Sequence, residues 1–412
     1  MDPYTLVSFL LAVIVFCSYL NYRLLKLPSA IGLTLVAFSL ALGVTILDYL
    51  FPAISLGPLL RRFLAEISFE KTLLHWLLGF LLFAGAIHVE LDSLLKRLKS
   101  ILSLATLGVV ISALITGTLL YFLLSLLGYP LPFLWTLIFG VLISPTDPVA
   151  VLTIFKTSKI EKETEIVIVG ESLLNDGVAV VLFMILFEIL ANQTEFHWTQ
   201  ALFLFGQEAL GGILLGLLLG LGAFFLLKDI DDYELEVLIT VTLVMLCYSL
   251  AETLHLSGPL AVVVAGLLIG NHGRRLAMSP KTIEHVDTFW RLTDSSLNAF
   301  LFLMVGLEVL LLSWNLTLLT LSALSLLIVV LARFFSVTLS LKIVNPFQRL
   351  TFKEIFFFTW SGLKGGIALA LALSLPKGPS KELILAFTYV NVVFAVLFQG
   401  LTLEKLARKL KI

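Results

Sequence analysis

Gly170-Glu171-Ser172-Leu173-Leu174-Asn175-Asp176-Gly177 sets two carboxylates, an amide and a hydroxyl inside an apolar stretch long enough to cross a bilayer. A charged side chain at the membrane midplane costs roughly 2.5–3.5 kcal/mol on insertion scales, so one is kept mainly where it works. At ~100° per residue, Glu171, Ser172, Asn175 and Asp176 fall within about 140° of a helix circumference. They form one polar stripe, with Glu171 over Asn175 and Ser172 over Asp176, while Leu173 and Leu174 point elsewhere. The stripe is expected to face an ion path.

An ionised carboxylate with oxygen neighbours binds a hard monovalent cation, and a proton neutralises the same group, so the two ligands compete for one place. If Asp176 carries one or the other but not both, alternating access exchanges them without direct contact between the ions. Further oxygens are expected from Thr146, Ser172 and Asp147. Asp176, Ser172 and Thr146 form the expected metal shell for the transported cation. Asn175 beside Asp176 cannot titrate, which leaves one proton-binding group where an Asp-Asp pair would offer two. The expected exchange is therefore one for one and electroneutral.

Two interrupted stretches accompany this stripe. Ser144-Pro145-Thr146-Asp147-Pro148 has prolines three residues apart, which remove backbone donors and clash with preceding carbonyls. Gly362-Leu363-Lys364-Gly365-Gly366 loosens a second segment with three glycines and adds a cation. Broken helix ends carry partial charges of opposite sign, so Asp147 suits a positive end and Lys364 a negative one. Arg333 lies within another apolar span and keeps its charge, so it needs an anion, and Glu171 is the expected partner.

The elements that position these residues are membrane helices. With 412 residues, 59% hydrophobic and 13% charged, the chain reads as an all-α polytopic membrane protein. Apolar windows fall near 4–21, 29–51, 72–89, 101–127, 131–154, 164–191, 199–227, 234–255, 258–270, 286–312, 315–341, 354–375 and 382–403, about thirteen spans. Alternate connections hold nineteen Lys and Arg on one side, including Arg23, Lys96, Arg274 and Lys405, against five on the other. That bias places the N-terminus outside and the C-terminus in the cytoplasm. No basic region precedes the first span, so it reads as a retained helix and not a signal peptide. Net charge −1 argues against a nucleic-acid partner. Cys17 and Cys247 sit in apolar spans as small hydrophobes.

Spans five and twelve, which carry the two breaks, are seven apart and so cross in opposite directions. Spans 1–6 and 8–13 then form inverted-topology repeats, and paired interrupted helices mark a midplane site in secondary transporters.

These residues resemble those of the monovalent cation:proton antiporters of the NhaP-like, sodium/proton exchanger type. The resemblance covers nearly the whole chain and rests on Leu82 to His88, Thr146-Asp147-Pro148, Gly170 to Gly177, Asn298 to Gly306, Arg333 and Gly362 to Gly366. It implies an NhaA-like antiporter fold and a homodimer in a cell membrane, with the bilayer and the transported ions as its other partners. It further implies a moving core of 101–191 and 315–403, a scaffold of 1–100 and 234–312, and a linking helix in 192–233. Sodium is the implied cation, with potassium and lithium as alternatives, and no cofactor is implied. The resemblance assigns Asp176 as the ion and proton carboxylate, Thr146, Asp147 and Ser172 beside the cation, and a Glu171–Arg333 pair. Two departures stand out. Relatives often carry an acid near Ala84 and an Arg at the place of Lys364, whose point charge lacks bidentate geometry.

Other readings carry less. His88, Glu90 and Asp92 approach a basic loop and read as a solvated boundary in preference to a metal site. Glu188, Glu208, Glu252 and Glu308 are assigned no role. A cation channel would use Asp176 in a ring, yet two inverted breaks in one chain suit alternating access better. An enzyme is not expected, because no nucleophile with its base and no His-Glu-x-x-His occurs.

Overall fold

The computed structural model describes residues 3–51, 57–58, 60–61, 64, 72–148, 151, 160–192, 198–312, 314–344 and 351–410. Among these there are helices and turns but no strand, and nine helices are long and apolar enough to cross a membrane. They include α1 (Pro3–Leu20), α2 (Ser29–Leu50), α6 (Lys162–Asn192), α7 (Trp198–Lys228), α8 (Tyr233–Thr253), α10 (Pro280–Leu307) and α11 (Leu316–Val344). α4 (Val109–Leu126) is entered through a π turn at Leu104–Gly108, and α14 (Pro379–Val393) continues through another at Phe394–Gln399 into α15 (Gly400–Leu410).

The other four expected spans are shorter or broken. They are α3 (Leu78–Ala86), α5 (Phe133–Ile143), α9 (Gly258–Leu268) and the pair α12 (Phe352–Trp360) and α13 (Gly366–Ser374). Among the described residues, nine of the thirteen windows coincide with helices long and apolar enough to cross a membrane, and four with shorter or interrupted helices. The expected continuous run 131–154 ends as helix at Ile143, and residues 149–150 and 152–154 lie outside the described residues, as do Arg62, Lys71, Lys156, Lys159 and Arg349.

Local sequence explains the boundaries. α5 starts behind Pro132 and stops where Ser144-Pro145 withdraws a donor. α12 opens on a capping box, in which Thr351 Oγ1 accepts from Glu354 N–H and Glu354 Oε2 accepts from Thr351 N–H at 2.8 Å. α10 begins at Ser279-Pro280, the Ser accepting from Thr282 N–H. Leu218, Phe225, Leu327 and Leu331 project outward, as a lipid-facing surface requires, while Phe139, Phe183, Phe302 and Phe387 fill the interior between helices.

Candidate functional site

Between Ser144 and Asp147 the chain leaves the helix after α5, and between Ser361 and Gly365 it leaves the helix between α12 and α13. The two gaps meet. Asp147 N–H donates to Leu363 O at 2.8 Å, tying one break to the other by a backbone bond. Lys364, buried, donates from Nζ to Ser144 O at 3.2 Å and Pro145 O at 3.4 Å, so its cation sits on the carbonyl end of α5. The Asp147 carboxylate packs against Gly365, the residue that opens α13. Each charge thus meets the helix end of opposite sign on the other chain segment.

The glycines make this approach possible. A Cβ at Gly365 would lie 2.8 Å from Asp147 Oδ2, and one at Gly362 would lie 2.8 Å from Arg333 Nε and 3.3 Å from Thr146 Cγ2. At Gly366 the space of a Cβ is taken by the Leu301 side chain of α10. Pro145 and Pro148 bracket the first gap and line the cavity described below. Gly365→Ala is expected to strain this crossing by about 1–3 kcal/mol. A lowered thermal midpoint, with exchange impaired, checks it.

The polar stripe of α6 serves three neighbours. Glu171 Oε1 meets Arg333 Nη1 of α11 at 2.5 Å, with both side chains buried. Ser172 Oγ shares a 2.8 Å hydrogen bond with Thr146 Oγ1, and Asn175 Nδ2 donates to the same Thr146 oxygen at 2.8 Å. Asp176 alone of the four lines a cavity of about 420 Å³. Thr146 and Asp147 share that wall, whereas Ser172 and Asn175 stand behind it and fix Thr146. A carboxylate buried to 4% exposure, next to oxygens of a broken helix, is equipped to exchange a small cation for a proton.

The rest of the lining includes Ala84 and Gly85 of α3, His88 in the turn after it, and Asp287, Arg291, Asp294 and Asn298 of α10. Asp287, Arg291 and Asp294 are not singled out by residue type alone. Their spacing with Asn298, at i, i+4, i+7 and i+11, is the signal that finds them, since it is one helical stripe.

Within the lining, His88 Nδ1 lies 3.8 Å from Asp287 Oδ1, and 3.1 Å from Nη2 of Arg274, which also pairs with Asp287. Arg275 bonds Asp92 at 2.8 Å, and this hydrogen bond and charge hold the Asp92 carboxyl below its usual range. Glu90 accepts from Ser93 Oγ. His88 and Asp92, residues of a solvated boundary by their sequence, are engaged by Arg274 and Arg275 of a short helix, Arg274–Leu276.

Comparison with known proteins adds three findings. The family model for the transmembrane domain of sodium/hydrogen exchangers matches residues 10–409. The chain is 42% identical over 416 residues to the Na(+)/H(+) antiporter NhaP of Pseudomonas aeruginosa, covering 98% of this chain and 96% of that one. It is 37% identical over 397 residues to the Na(+)/H(+) antiporter NhaH of Halobacillus dabanensis, covering 94% and 93%. Among solved structures, the sodium proton antiporter MjNhaP1 of Methanocaldococcus jannaschii at pH 8 superposes with a TM-score of 0.75 at 20% identity, over 100% of this chain and 99% of that one, a likeness of fold.

Proposed function

The chain belongs to the sodium/hydrogen exchanger family and is a sodium/proton antiporter, and we propose that Asp176 carries sodium and proton in turn by alternating access. The observation that carries this reading is the position of Asp176, a buried carboxylate on a cavity wall beside the crossing of two interrupted helices. Thr146 and Asp147 contribute oxygens from the first break. Ser172 and Asn175 act on the site by holding the Thr146 hydroxyl, and Lys364 neutralises the carbonyl end of α5. Glu171 and Arg333 fasten α6 to α11 and do not touch the ion.

Two cavity-lining residues, His88 and Asp287, contact Arg274, one of the basic residues whose excess marks the cytoplasmic side, which supports a cavity reached from the cytoplasm. The N-terminus is then outside and the C-terminus cytoplasmic, in a cell membrane. The protein works as a homodimer in which 101–191 and 315–403 move against the remainder.

With Asp176 as the carboxylate that exchanges its proton, and an amide in place of a second acid at Asn175, one sodium replaces one proton and no net charge crosses. Proteoliposomes under an imposed sodium gradient, with internal pH followed at several clamped voltages, are expected to show proton movement independent of voltage. Voltage-dependent exchange would refute the one-for-one stoichiometry. Equal driving by potassium would refute sodium as the chosen cation, and sodium leak without proton countermovement would point to a channel.

A further inference from the structure

Glu308, an acid the transport site does not use, opens a short 3₁₀ turn, Glu308–Leu311, at the end of α10. It is 0% exposed, and neither of its carboxyl oxygens makes a hydrogen bond among the described residues. An ionised carboxylate buried without a partner is so unfavourable that the group takes up a proton instead. The elements around the turn do not offset such a charge. α2 packs on it, and its ionisable residues are Asp48, which accepts from Gly57 N–H at 2.6 Å, and the exposed Tyr49. α10 itself carries no charged residue between Asp294, about four turns back, and Glu308. α14 brings Lys381, which donates to Leu373 O, Glu382 in its first turn, and Tyr389. The buried Tyr389 hydroxyl lies beside Glu308 and the Val309 backbone and forms no hydrogen bond of ordinary geometry among the described residues. Trp314 closes the group, its Nε1 donating to Val309 O at 3.2 Å and its ring 5.9 Å from that of Tyr389. Glu308 is thus held as a neutral carboxyl next to a phenol.

The place of this group gives it a use. α10 starts close to Arg274 and Arg275 on the basic, cytoplasmic side and runs for 28 residues. That is about 42 Å, more than the roughly 30 Å of a bilayer core, so Glu308 lies towards the outer face. Glu308 belongs to 234–312 and Tyr389 to 315–403, so their contact is a seam that alternating access must open. We propose that Glu308 is a second proton site, filled from outside, which holds this seam shut and favours the arrangement whose cavity is reached from the cytoplasm. Once the seam opens to external water, the carboxyl ionises at neutral pH as an exposed glutamate does. Closing it again takes a proton from outside. External acid therefore favours the closed seam and external alkali the open one, with one proton linked to the change. That proton returns to the side it came from, so the one-for-one exchange at Asp176 is untouched. The proposal rests on the reading that 315–403 moves against the remainder to switch access.

The test follows initial exchange by the full-length protein in right-side-out membrane vesicles at fixed internal pH, while external pH is lowered from alkaline to mildly acid. External sodium, the probe, is raised to saturation, so that competition at Asp176 appears in the half-saturating concentration and the seam in the maximal rate. The wild-type maximal rate is expected to fall about three- to tenfold for each unit of external acidification, tenfold being the limit for one linked proton. Glu308→Gln, neutral at every pH, is expected to give a maximal rate that external pH does not change, at the wild-type thermal midpoint. Glu308→Leu carries the same readout if the amide variant does not reach the membrane. A folded variant whose maximal rate still falls with external acid overturns the proposal, as does a wild-type maximal rate indifferent to it. Loss of folded protein in both variants would mean that the carboxyl is held as a charge, and overturns it too. In wild type and Glu308→Gln alike, the half-saturating sodium concentration is expected to rise with external acid. A value that ignores external pH in both, with the contrast in maximal rate intact, would fell the reading of Asp176 and leave the Glu308 site standing.

Discussion

Asp176→Asn is expected to yield a folded, membrane-inserted protein that exchanges no sodium for protons. The substitution is isosteric and removes a charge from a position 4% exposed, so the fold has no reason to fail. What it removes is the function of the group. A unit charge about 4 Å from a cation in a medium of effective dielectric about 20 is worth about 4 kcal/mol, roughly a thousandfold in affinity, and the amide offers no proton site at all. Thr146 and Asp147 remain on the wall but do not replace the lost titration. Sodium-driven acidification or alkalinisation in proteoliposomes should fall to background while purified yield and thermal midpoint stay near those of the wild type. Full exchange by a well-folded variant would sink the assignment.

The second large effect concerns stability. Arg333→Ala leaves Glu171, 1% exposed, without the guanidinium 2.5 Å away, and an uncompensated buried charge costs about 3–5 kcal/mol. The expected result is a sharp loss of folded yield and a lower unfolding midpoint in detergent. A double variant separates a fastening role from ion coordination. Removing both charges with apolar residues of similar volume is often neutral or stabilising, so Glu171→Leu with Arg333→Met should recover yield and retain exchange. Recovered yield without exchange would mean that Glu171 takes part in ion binding.

Much of this arrangement was readable from residue types, for reasons that differ by residue. Arg333 in a lipid-spanning helix keeps its charge and needs an anion, and with Asp176 taken as the ion carboxylate, Glu171 is the other acid on the polar stripe; the two side chains meet in the structure. Lys364 and Asp147 were readable as complements of helix ends because the Gly and Pro runs announce where helices stop. Their partners were not readable, since which broken end meets which charge depends on how the two gaps cross. Spacing on α6 picks out four polar residues but implies one shared direction. In the structure Glu171 turns to α11, Ser172 and Asn175 turn to Thr146, and Asp176 alone reaches the cavity. A 140° arc is wide enough to face three neighbours, and spacing within one helix says nothing about what stands opposite.

The α10 wall was the larger omission. Asp287, Arg291 and Asp294 sit towards the end of a span where charges ordinarily mark the membrane boundary, so composition gave no alarm. Only their common face with Asn298 distinguishes a cavity lining from a solvated edge. The number of spans was uncertain for a related reason. α5 and the α12–α13 pair are shortened by the same prolines and glycines that make the site, so hydropathy is weakest where function is densest.

Competition between sodium and proton for one carboxylate is tested most directly by counting protons released when sodium binds. Purified protein in weakly buffered detergent solution, titrated with sodium at decreasing starting pH, is expected to release protons in a ratio approaching one for each sodium bound, as the empty site becomes fully protonated. The Asp176→Asn protein should release none. Sodium binding to the wild type without proton release, or undiminished release from the Asp176→Asn variant, would contradict a single shared site at Asp176.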